Sequence, residues 1–119
     1  MSELDLKKRT RAFALRILKL VDATPKTTAG RALASQLVRS GTSVAANYRA
    51  SCRAKSTAHF ISKMGDVEEE ADETLFWIEL LEEAELVPAP RLIEIKREAN
   101  ELVAITVASI KTAKKRGTG

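Results

Sequence analysis

Residues 36–53 read Gln-Leu-Val-Arg-Ser-Gly-Thr-Ser-Val-Ala-Ala-Asn-Tyr-Arg-Ala-Ser-Cys-Arg, and the fold turns on how this stretch is understood. Its periodicity is helical, yet the side that should be most apolar is built from Ser40, Val44, Asn47 and Ser51. Small and polar residues at that spacing let a neighbouring backbone approach, and they leave Asn47 in need of a partner. Gly41 sits mid-helix, where glycine costs up to about 1 kcal/mol relative to alanine, which predicts close packing there. Arg39, Arg49 and Arg53 lie alongside, with no acidic residue between Gly30 and Lys63. The composition points to an assembly or anion-binding surface and names no reaction.

Working outward, the second helix extends from about Thr28 to Arg53, with Leu33, Leu37, Val44 and Tyr48 on its apolar side. The first runs from about Leu4 to Asp22, carries Leu6, Phe13, Ile17 and Leu20 at helical spacing, and stops at Thr24-Pro25. Ser56 or Thr57 is the expected N-cap of the third. Phe60, Met64, Val67, Ala71, Leu75, Ile78 and Leu81 carry it to about Leu86, where Val87-Pro88-Ala89-Pro90 ends it. The fourth starts near Pro90 or Arg91. Its Leu92, Ile95, Ala99, Leu102, Thr106 and Ser109 step by three and four, the period of bundle packing. The basic tail 112–119 is expected to fray. No strand pattern and no repeat occurs. The prediction is one all-α domain, 1–119, folded as an antiparallel up-down-up-down four-helix bundle.

Apolar residues make up 45% of the 119 and charged residues 30%, ordinary for a soluble globular protein. No apolar run approaches the ~20 residues that span a bilayer, and the N-terminus lacks a signal peptide's apolar segment. The single cysteine, Cys52, excludes an internal disulfide and fits a reducing compartment. The expectation is a cytoplasmic protein with no membrane partner. The net charge of +4 hides a partition. Residues 1–63 carry thirteen Lys and Arg against three acids, residues 64–90 carry ten acids and no base, and residues 91–119 are basic again. Such blocks neutralise each other within a bundle, attract a second subunit, or face a polyanion.

A resemblance follows from residues in order and spacing. These are Phe13-Ala14 and Ile17, then Gln36-Leu37-Val38-Arg39-Ser40, and Ser43-Val44-Ala45-Ala46-Asn47-Tyr48-Arg49. Next come Arg53-Ala54-Lys55-Ser56, Phe60-Ile61-Ser62-Lys63, Glu70-Ala71-Asp72-Glu73-Thr74 and Trp77-Ile78-Glu79-Leu80-Leu81. The pattern resembles the four-helix-bundle family encoded by intervening sequences inside bacterial large-subunit ribosomal RNA genes. Gly41, where alanine is usual, and Gly65-Asp66 depart from it. The resemblance implies a ring of five bundles. It also brings in a related branch, the accessory protein of diversity-generating retroelements, a basic pentamer that works with a reverse transcriptase and binds nucleic acid.

The candidate anion-binding set is Arg16, Lys19, Arg39, Arg49, Arg53 and Lys55, with Lys26 and Arg31 adding charge. These residues either touch phosphate without reading sequence or pair with the acids of the third helix. The candidate assembly or packing set is Ser40, Gly41, Asn47, Tyr48, Phe60 and Trp77. Asn47 either fixes register between subunits or bonds within the monomer. The acidic run 68–73 lacks the Glu-x-x-His motifs of a bundle di-metal site, and His59 and Cys52 have no triad partners. No catalytic residue, metal site, cofactor or small-molecule substrate is expected. The two readings carried forward are a self-assembling ring that binds RNA or DNA and a structural or protein-interaction ring without that affinity.

Overall fold

Three of the four helices begin where a hydroxyl can catch a free amide. In the computed structural model, which describes residues 1–118, Ser2 caps α1 (Glu3–Asp22) in a capping box with Asp5. The bond from Ser2 to its side chain holds the Asp5 carboxyl below its usual range. Thr27 caps α2 (Thr28–Ser51) by accepting from the Gly30 amide, and Ser56 caps α3 (Thr57–Glu83) by accepting from that of His59. A 3-10 turn over Ala89–Arg91 leads into α4 (Ile93–Thr118). Each such cap contributes about 1 kcal/mol.

Four boundaries differ from the sequence reading. α2 stops at Ser51 rather than Arg53, and α4 starts at Ile93, after the turn that holds Pro90. α3 stops at Glu83, short of the prolines, because the chain turns left-handed at Glu85 (φ 57°). The Leu86 amide donates to the Leu81 carbonyl and that of Glu85 to Glu82, the two bonds of a Schellman ending. Leu86 packs back on the core beside Leu81. The basic tail is helical through Thr118; Gly119 lies outside the described residues.

Neighbouring helices run antiparallel. Tyr48, near the end of α2, donates to the carbonyl of Glu3 at the start of α1 (3.4 Å). Ser40 of α2 meets Thr74 of α3, and Lys96 of α4 reaches Glu82 of α3. α4 returns alongside α1, where Arg9 grips Glu98 through two 2.7 Å bonds and also reaches Glu101. The bond to Glu98 raises the Arg9 guanidinium above its ordinary value. The result is an all-α up-down-up-down bundle, 51 Å long and about 20 Å across. Among the described residues no helix is long and apolar enough to cross a membrane.

The core is aliphatic, with Phe13, Ile17, Leu37, Val44, Met64, Ile78, Leu81 and Leu102 fully enclosed. Ile17 lies against Gly41. A β-carbon added there would sit 2.9 Å from both Cγ atoms of Ile17. The predicted close approach is therefore real, and it lies between α1 and α2 of one chain.

A sign reversal tests this contact. Gly41→Ala should destabilise the protein by about 1 kcal/mol, overlap outweighing better helix propensity. In an Ile17→Ala background the same substitution should stabilise by about 1 kcal/mol, as read by denaturant unfolding. Equal effects in the two backgrounds would show that the contact does not matter.

Candidate functional site

Small polar residues on the inner side of α2 face α3. Ser40 and Thr74 are fully buried with their hydroxyls 2.8 Å apart, and Thr74 also donates to the Glu70 carbonyl at 2.7 Å. Ser51, also buried, bonds back to the Tyr48 carbonyl (2.6 Å). Among the described residues no buried side-chain nitrogen or oxygen lacks a partner. Asn47 is only half-buried, and Tyr48 takes the inward position beside it. The residue that needs a partner inside the bundle is Ser40, and Thr74, which sequence reasoning missed, supplies it.

The candidate cations divide. Arg39 is captured at the α2–α3 seam, where its side chain pairs with Glu70 and Glu73 and bonds Gln36. Glu73 in turn accepts from the Trp77 indole at 3.0 Å. Arg16, Lys19, Arg49, Arg53 and Lys55 are exposed and form no ion pair among the described residues. Arg49 and Arg53 join Lys7 and Arg11, which the sequence reading had not singled out, around a groove of about 510 Å³ between α1 and α2. Thr10, Ala14, Leu15, Ala45, Ala46 and Tyr48 complete its lining, with Thr10, Ala14 and Tyr48 the most deeply buried, and no acidic residue lines it. Arg16 and Lys19 lie outside this groove.

Tyr48, Phe60 and Lys55 come together elsewhere, around an open cleft of about 870 Å³ at one end of the bundle. Cys52 lines the same cleft. Burial pushes its thiol above the ordinary value, and burial does the same to the Tyr48 phenol. A raised thiol is a poor nucleophile near neutrality. His59 has a local structural task, its Nδ1 accepting from the Lys55 amide at 3.2 Å beside the α3 cap. Among the described residues no group of three or more His, Cys, Asp or Glu is placed to hold a metal. Trp77 is half-buried against the core, whereas Phe76 touches it edge-on at 5.0 Å and is 49% exposed. The surface offers charge and apolar contact; the described residues form no nucleophile–base pair.

The buried hydroxyl pair gives a clear expectation. Thr74→Val alone should cost about 1–2 kcal/mol, because the Ser40 hydroxyl loses its partner inside the core. Thr74→Val with Ser40→Ala should cost less than Thr74→Val alone, since no polar group is then stranded. Ser40→Ala alone, which leaves Thr74 on the Glu70 carbonyl, should also cost less. Thermal or chemical unfolding of the three proteins checks this.

The comparisons agree with this architecture. A family model described as 23S rRNA-intervening sequence protein matches residues 2–108. Among solved structures, the chain is similar to a protein of unknown function from the S23 ribosomal protein family of Bacteroides thetaiotaomicron. Identity is 32% and the TM-score 0.83, over 89% of this chain and 98% of that one. No curated protein matches. The match spans all of α1, α2 and α3 and most of α4, and the family is the one that the 36–81 pattern resembles. The chain belongs to the 23S rRNA-intervening sequence protein family.

Proposed function

We propose that this protein is a non-catalytic subunit that assembles with copies of itself and binds RNA or DNA through phosphate contacts. A ring of five is the assembly that the family resemblance implies. The observation that carries the nucleic-acid reading is the division of the cations. The acids of α3 absorb Arg39 alone of the candidate set and leave Arg16, Lys19, Arg49, Arg53 and Lys55 exposed to solvent. Unpaired Arg and Lys side chains on helix surfaces bind phosphate by charge and counterion release, without reading base sequence. The capture of Arg39 favours the competing reading, a protein-interaction ring in which opposite charges find each other.

Salt dependence separates the two. Anisotropy with a labelled single-stranded RNA and a labelled DNA duplex should show affinity falling steeply with salt. The slope should be about 0.7 per phosphate contacted on the single strand and 0.9 on the duplex. Arg16→Ala with Lys19→Ala should flatten it by roughly one to two contacts. Absence of binding at low salt would eliminate the nucleic-acid role.

A further inference from the structure

Two faces of this bundle are complementary in charge, and one carries an exposed aromatic ring where the other has a groove. On α3, Glu69, Asp72, Phe76, Glu79 and Glu83 are all exposed. At 100° per residue they share a strip about 80° wide. None of the four acids makes an ion pair among the described residues, although Glu70, Glu73 and Glu82 on the neighbouring flanks do. An aromatic ring at 49% exposure thus stands in the middle of a purely acidic strip. The α1–α2 groove is its counterpart, lined by Ala14, Ala45 and Ala46 beside Thr10 and Tyr48, with Arg11, Arg49 and Arg53 free of ion pairs among the described residues and Lys7 paired with Glu3. Along α1 the exposed leucines Leu4, Leu15 and Leu18, at 60%, 60% and 39% exposure, continue the apolar line. Leu4 to Leu18 and Glu69 to Glu83 each cover fourteen residue steps, about 21 Å of helix.

We infer that the occupant of the α1–α2 groove is the α3 strip of a second copy of this chain. This inference rests on the self-assembly reading above and names the surfaces that carry it. Phe76 enters beside Ala14, Ala45 and Ala46, whose small side chains leave room on that side of the groove for a third helix. Asp72 and Glu79 flank it one turn to either side and meet the arginines of the rim. This is helix-in-groove recognition, with an apolar anchor giving affinity and charge giving register. The two faces lie on different helices, so each copy offers its strip to one neighbour and its groove to another. Such head-to-tail contacts close into a ring when the rotation between copies returns on itself. Within the ring Arg49 and Arg53 are covered, and phosphate contact falls to Arg16, Lys19 and Lys55.

Charge reversal on each face, then on both, tests the pairing by sedimentation velocity, with circular dichroism confirming that the helices persist. Wild type should sediment well above the 13.0 kDa of one chain. Arg49→Glu with Arg53→Glu, and separately Asp72→Lys with Glu79→Lys, should each weaken association at least tenfold. All four substitutions in one chain should restore it. A wild type that sediments as a monomer would remove the self-assembly reading and this inference with it. An oligomeric wild type whose mass neither reversal changes would overturn the groove-and-strip pairing alone.

Discussion

The closeness of α2 to its two neighbours is the constraint on which the rest of this bundle depends. Ile17 occupies the space that a side chain at position 41 would need, and Ser40 meets Thr74 on the other flank. Glycine and serine are poor choices for a helix interior on propensity alone. They are tolerated here because tight packing and a satisfied hydroxyl pair offset the loss. With α2 held on both sides, α1 and α4 share the buried core, and Arg9 adds ion pairs to Glu98 and Glu101 across their seam.

The same packing sorts the charges. Acids on the flanks of α3 lie within reach of α2 and α4 and are spent on Arg39 and Lys96. Lys96 is raised above its ordinary value, chiefly by its bond to Glu82. Acids on the outward strip form no ion pair among the described residues, although Glu79 and Glu83 act on Lys96 from a distance. Of the groove cations, Lys7 pairs with Glu3, while Arg11, Arg49 and Arg53 form no ion pair among the described residues. The +10 and −10 blocks of the sequence therefore cancel only in part inside one chain. What remains is a basic face and an acidic face on one chain.

Most of the fold was legible in the sequence because its determinants are local. Apolar spacing located four helices, and the hydroxyls of Ser56 and Thr57 announced the α3 cap, which Ser56 supplies. The end of α3 was misread because Pro88 is a conspicuous helix breaker, whereas a glutamate in a left-handed turn carries no signal; glycine is the usual mark. Gln36–Arg53 was legible as family and as close packing, and its partners were not. Whether Arg39 meets phosphate or Glu73 depends on which helix lies beside it. Asn47 and Tyr48 differ by one residue, 100° of rotation, and the structure turns Tyr48 inward. Phe76 and Trp77 are related by the same step, and with Thr74, Ile78 and Leu81 facing the core Trp77 packs against it while Phe76 is exposed.

The central claim is that Gln36–Arg53 is first an internal packing element, with Arg49 and Arg53 exposed on its outer side. Amide hydrogen exchange of the wild-type chain, followed by mass spectrometry across a wide range of protein concentration, tests it most directly. The account predicts that amides around Ser40, Gly41 and Val44 are among the slowest in the molecule and that their protection is the same at every concentration. Fast exchange there at low concentration, slowing only as copies associate, would contradict it and make the stretch an element ordered by assembly.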